Sequence, residues 1–266
     1  MRNHLILSVL LLTLTNLSFS QVTRWSLEDS ISRDYLKELV FATDTPEYVR
    51  YFPMNMEEYL DHFHPVHINL DDDIDLIFNG PSGGESYSVE IYLNKGGKLE
   101  LVESDVGAIR NVTRKFPDAP LTMDFLQYGC CDDPINFLQQ WIILPNNPRT
   151  VIRSSKYYFL DETEFPESWN TMVKFRVTNT PYTLRATPEI INDKPLTYHY
   201  EQGNKLAEYS NGDIGFAFNS KTDETGRVWW FVAMNPPNED GYSVYKIRRN
   251  EKWLGWMSSR FVEKIK

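Results

Sequence analysis

The chain has 266 residues and a formal charge of −10, with 37 acidic against 27 basic side chains. That balance argues against nucleic acid or anionic lipid as a partner, since both demand a basic face. With 41% hydrophobic and 14% aromatic residues it is too apolar for a disordered chain, and its length suits two domains.

Met1-Arg2-Asn3-His4 opens with a positive charge, Leu5 to Leu17 is almost wholly apolar, and Ser18-Phe19-Ser20 supplies small residues before Gln21. A charged start, a short apolar core and a small-residue exit predict a signal peptide over residues 1–20. The run is too short to favour a membrane-spanning helix, and no other stretch is long and apolar enough for one. The mature chain is therefore expected to be secreted or periplasmic, after cleavage near Ser20/Gln21, with no membrane span.

Arg24 to Phe63 reads helical. Ser26 is placed to cap a helix with Asp29 three residues on, and Ile31, Tyr35, Leu36, Leu39 and Val40 recur at helical spacing. Thr45-Pro46-Glu47 predicts a second start with proline at the first helical position, running through Tyr48, Val49 and Phe52. Asn55 would cap a third short turn carrying Met56, Tyr59, Leu60 and Phe63, stopped by Pro65.

From Val66 to about Leu160 the pattern changes to strands. Val66 to Phe78 is the first, followed by the Asn79 to Gly84 turn. Tyr87 to Leu93 alternates cleanly, and Asn94-Lys95-Gly96-Gly97 turns it back into Leu99 to Val102 as a hairpin. Leu121 to Tyr128, Asn136 to Leu144 and Thr150 to Phe159 are further strands, and Asp161 to Trp169 is expected to link two domains, either free or ordered against one of them. The fold class expected is thus an α+β N-terminal domain with an antiparallel sheet over 21–165, followed by an all-β domain over 171–266.

Three clusters carry possible chemistry. Asn69, Asp71, Asp73 and Asp75 place oxygens at alternate positions leading into an apolar strand. Calcium takes several hard oxygen ligands on a bent loop, so these four are candidate calcium ligands, the alternative being a solvated acidic turn. Cys130 and Cys131, the only cysteines, sit between Gly129 and Asp132-Asp133-Pro134. In an oxidising compartment they would form a vicinal disulfide or remain two buried thiols. His62, His64 and His67 make a His-x-His-x-x-His series beside Asp61, but Pro65 interrupts any shared helix face, so ordinary packing histidines are expected rather than zinc ligands. No nucleophile elbow, phosphate loop or dinucleotide fingerprint appears.

In the last third, Lys174 to Val262, the markers are Leu184-Arg185 with Pro188, the Trp229-Trp230 strand, and Gly255-Trp256 with Phe261-Val262. Taken in order, this series resembles the bacterial SH3-like domain family. The resemblance implies a small β-barrel used for binding cell-wall peptide or another protein, usually without catalysis of its own. Glu189 to Gln202 and Asn235 to Asn250 are longer than that pattern and lie where such domains differ in ligand. Asn69 to Ile77, with Tyr87 to Gly97, is similar to the calcium-loop-and-strand unit of FG-GAP or VCBS repeats, although it lacks their glycines.

Neighbours on a strand point to opposite faces, so one of Trp229 and Trp230 is expected to face a groove. With Tyr182, Tyr242 and Trp253 they are the candidate ligand-binding residues, because aromatics beside polar loops suit peptide and glycan recognition. The function expected is a non-catalytic envelope or secreted binding protein whose partner is cell-wall peptide or an envelope protein. The alternative is a metal-dependent extracytoplasmic hydrolase with the C-terminal domain as its targeting module.

Overall fold

A computed structural model describes residues 24–25, 30–42, 56–82, 87–129, 134–169, 172–192, 203–237 and 241–265. The signal-peptide stretch, the Ser26 cap, the helix expected from Thr45 to Phe52, and Cys130 and Cys131 lie outside these residues. Of the described residues 51% are strand and 9% helical, against roughly a fifth to a quarter strand in an average soluble domain. The chain divides into two compact units, one of Gln21–Asp133 with Leu138–Ser154, the other of Pro134–Phe137 with Ser155–Lys266.

In the first unit, helix α1 (Arg33–Ala42) buries Leu36, Leu39 and Val40, the i, i+3, i+4 spacing that puts them on one stripe. Ser32 caps it: its Oγ accepts from the Tyr35 amide at 3.2 Å. The short helix α2 (Met56–Leu60) buries Tyr59 and Leu60. Both pack on an antiparallel sheet of β2 (Phe63–Val66), β3 (Asp75–Pro81), β4 (Tyr87–Asn94) and β5 (Leu99–Val106), in that order. Phe63, Leu76, Phe78, Tyr92 and Leu99 complete their common core. The β4–β5 turn uses Gly96 and Gly97 at positive φ (64° and 90°), conformations that cost side-chain-bearing residues strain. A second group of strands holds β1 (Arg24–Trp25) parallel to β6 (Ala108–Thr113), with β7 (Leu121–Gln127) antiparallel to β6. In the same unit β9 (Asn147–Arg153) runs antiparallel to the far half of β8 (Ile135–Leu144). Phe125 and Trp141 stack at 4.3 Å in its core.

In the second unit, β10 (Tyr157–Leu160) runs parallel to β16 (Lys252–Ser258). The ladder continues antiparallel through β15 (Val228–Met234), β14 (Ile214–Thr222), β11 (Val173–Val177) and β17 (Val262–Lys264). Strand β12 (Tyr182–Arg185) pairs along β13 (Lys205–Tyr209) and touches β16 only at Arg185↔Trp256. A 3-10 turn, Ser259–Phe261, joins β16 to β17. Trp253, Trp256, Phe231, Phe175, Leu184 and Leu206 are fully buried between these strands.

The fold-class expectation is corrected on both counts. Among the described residues there are two helices, of ten and five residues, too little for an α+β layer, and strands dominate both units. No SH3-like barrel is closed either. Among the described residues the ladder ends at β17, which pairs only with β11, and beyond β12 at β13, whose outer edge meets no further strand and only the loop before β16 through the single Ala207↔Ser243 bridge. Alternating hydrophobicity identifies strands; closure depends on which edges meet, and the pattern does not encode that.

Segment 161–169, expected as a linker, is built into the second unit. The Asp161 amide donates to Pro134 O at 3.0 Å, Phe165 packs on Phe159 and Phe231, and Trp256 Nε1 donates to Glu164 O at 2.6 Å.

Candidate ligand-binding cleft

Strand β12, the β14–β15 hairpin and the 3-10 turn surround a cleft of about 180 Å³ in the second unit. From β12 come Tyr182, Thr183 and Arg185, with Pro181 just before them. Tyr182 Oη donates to Ser258 O at 2.6 Å, and its ring meets Phe261 edge-on at 5.7 Å. The phenol is thereby fixed as a wall with its polar end already satisfied.

Trp229 forms the floor. It is 2% exposed, and its Nε1 donates to Asp223 Oδ2 at 2.9 Å. The other oxygen of Asp223 accepts from Thr225 N, Thr225 Oγ1 and Arg227 N at 2.9, 2.6 and 3.0 Å. Hydrogen bonds from Thr225 and Trp229 hold this carboxyl down to about 2, since each favours the ionised form. Asp223 thus sets the hairpin turn, the indole and, through the Arg227 backbone, the start of β15. The Arg227 guanidinium lies 5.6 Å from the Trp229 ring centre.

Arg185 is the buried member of the cleft, only 7% exposed. Its Nη1 donates to Ile191 O and Asn204 Oδ1 at 3.1 and 2.8 Å, and its Nη2 to Asn192 Oδ1 at 3.0 Å. All three acceptors are neutral. Burial lowers its pKa and repulsion from Arg227 adds to that, with Glu208 partly compensating; an arginine nonetheless remains charged. Gly255 lets β16 approach it, since a Cβ there would stand 2.5 Å from Arg185 O. Gly203, at φ 64°, does the same for its partner loop, where a Cβ would stand 1.9 Å from Ile191 O. Arg260, on the 3-10 turn, completes the rim beside Phe261 at 5.3 Å.

The five aromatics proposed from the sequence do not converge. Tyr182 and Trp229 share this cleft. Trp230, one residue on, faces the other side of β15 and lines a second hollow of about 170 Å³ with Phe218 and Lys264, as strand alternation requires. Trp253 is fully buried, its Nε1 donating to Ser243 Oγ at 3.1 Å. Tyr242 lies on the loop before β16 with Lys205 5.7 Å from its ring.

No protein-family model, curated protein or solved structure matches this chain.

In the first unit the acidic loop is tied to its own backbone. Asp75 is fully buried, its Oδ2 accepting from Ile68 N at 2.8 Å and its Oδ1 from Asn94 N at 2.9 Å. Burial pushes its carboxyl up while those amides pull it back. Asp73 accepts from Gly96 N at 3.1 Å. Asp71 takes Asn69 Nδ2 at 2.7 Å and Asp73 N at 3.2 Å, with Lys95 Nζ 3.8 Å away. Calcium needs these oxygens turned inward together, whereas here they point at separate amides and at an ammonium. This donor set does not fit the ion, and among the described residues no group of three His, Cys, Asp or Glu is arranged to hold a metal. The His series likewise forms no metal-holding group among the described residues, and His62 lies edge-on to Phe78 and Tyr87 at 6.1 and 6.5 Å.

Sequence reasoning missed Arg227 and Arg260 as site residues and took Arg185 only as a family marker. The one signal was position: Arg260 directly precedes Phe261, and Arg227 stands two residues before Trp229 at the end of a turn.

Proposed function

We propose that this chain is an exported, non-catalytic binding protein that receives a peptide, from the cell wall or from an envelope protein, in the cleft of its second unit. The observation that carries the reading is the pairing of Tyr182 and Trp229 across one cleft, each with its polar atom already satisfied. Aromatic rings held this way give contact area at little conformational cost. The sequence markers shared with bacterial SH3-like domains support a binding role and not a barrel. Export rests on the Met1 to Ser20 pattern; among the described residues no helix is long and apolar enough to cross a membrane.

The test is co-sedimentation of the mature chain with purified peptidoglycan sacculi, alongside capture of envelope proteins. Phe261→Ala, at an exposed rim position, is the site variant, and Trp230→Ala controls for the opposite face. Binding lost in the first variant and kept in the second is the expected result. Binding lost only with Trp230→Ala would move the site to the second hollow, and no binding to either preparation would end the proposal.

A further inference from the structure

The peptide-binding reading leaves open which chemical group the cleft selects. Its lining includes three arginines, Arg185, Arg227 and Arg260, and no carboxylate among the described residues. This is a local reversal in a chain of net charge −10. The three differ in depth, with Arg185 buried at the back, Arg227 half-buried beside Trp229, and Arg260 exposed at the rim.

Arg185 is the decisive one. A buried cation normally sits against an anion, because removing it from water is expensive unless charge returns to it. Its hydrogen bonds go instead to a backbone carbonyl and two asparagine amides. Those bonds engage Nη1 twice and Nη2 once, and among the described residues Nε–H and the second Nη2–H have no acceptor. An adjacent pair of parallel N–H donors is the fork that engages both oxygens of a carboxylate. Arg227 repels Arg185, so an anion between them would relieve both. Of the acids nearby, Glu208 partly compensates the Arg185 charge but is paired with Lys205 at 2.9 Å, and Asp223 is committed to Trp229, Thr225 and the Arg227 amide.

We infer that the cleft is a carboxylate receptor: it takes a peptide through a free carboxylate, terminal or side-chain, seated on Arg185 and flanked by Arg227 and Arg260, with the adjoining residue against Tyr182, Trp229 and Phe261. This rests on the peptide-binding reading and makes it specific. The aromatic surfaces beside the fork distinguish it from a bare ion site and suit the organic residue that carries a carboxylate; the fork alone would hold two oxygens of a phosphate equally well, which the phosphate titration tests.

The full mature chain is titrated with N-acetyl-alanyl-alanine as the free acid, in L and D forms, with the corresponding C-terminal amides, with N-acetyl-aspartyl-alanine amide, and with inorganic phosphate. Tryptophan fluorescence and calorimetry give the readout. The free acids, or the aspartyl amide if the carboxylate is a side chain, are expected to bind at least about tenfold more tightly than the alanyl amides, the scale of one lost charge-assisted contact. Arg227→Gln and Arg260→Gln, both at accessible positions, should each weaken that binding several-fold while leaving the thermal midpoint unchanged. Arg185→Lys, which keeps the charge and loses the fork, should weaken it most. Phosphate binding more tightly than every carboxylate would overturn the assignment, as would arginine variants that bind normally. If sacculi or envelope peptides bind through Phe261 but acid and amide are equal, the carboxylate inference fails while the peptide reading stands. If nothing binds, both fall.

Discussion

Asp223 shows how much a single turn carboxylate can organise. Its folded-state pKa of about 2 lies below the ordinary 3.8, so its contribution to stability is present above about pH 4 and is lost as pH falls through its folded value. Asp223→Asn should therefore flatten the acid limb between about pH 4 and 2, read from tryptophan emission during an acid titration. Unchanged acid titrations in the variant would assign the limb to other carboxylates. Asp75 is a residue of a different kind, buried and shared between strand and loop. Asp75→Ala strands the Ile68 and Asn94 amides, and should cost about 3 kcal/mol at two unsatisfied buried donors, read from the denaturation midpoint. Because the loop's carboxylates are already engaged by amides and Lys95, millimolar calcium and its removal by chelator should both leave the thermal midpoint in place. A calcium-dependent rise would restore the sequence-based expectation.

At the scale of elements, the cleft depends on β12 crossing β16 at one point, Arg185↔Trp256. Gly255 makes that approach possible. Gly255→Ala forces a methyl into Arg185 O and the Leu206 side chain, and is expected to cost about 2–3 kcal/mol as an overpacked core site. Carboxylate binding should weaken with it, because Arg185 is displaced. Alanine at Gly212, where an added Cβ meets nothing, should cost only the strain of its positive φ, about 1 kcal/mol. Comparing the two by urea denaturation separates close packing from backbone conformation. The hairpins were legible beforehand for the same local reason: Asn94 to Gly97 has the turn residues, and Tyr87 to Leu93 the alternation, that the β4–β5 ladder requires.

At the scale of the molecule, the second unit draws Pro134–Phe137 from well upstream. Phe137 packs on Tyr158 at 5.6 Å, and Asn136 Nδ2 donates to Asp161 Oδ1 at 2.6 Å. A fragment beginning at Ser155 exposes that surface, so it should melt lower than the intact chain and bind a hydrophobic dye. A fragment as stable as the parent would show those four residues to be dispensable. The charge distribution has its own consequence. Binding at an arginine-lined cleft should weaken as ionic strength rises, whereas an apolar cleft would be indifferent to salt or strengthened by it.

The sequence by itself determined what is local. Period-two alternation placed most strands, Ile31 to Val40 placed the first helix, and adjacency sent Trp229 and Trp230 to opposite faces. Each of these follows from geometry within a few residues. Only the tertiary structure decided what is non-local: that the ladder of the second unit stays open, that Trp253 is core and not groove, that the aspartates of the acidic loop face their own backbone, and that arginines from β12, the β14–β15 hairpin and the 3-10 turn meet. Burial, edge pairing and the meeting of charges depend on segments separated by dozens of residues, and no spacing along the chain encodes which of them will touch.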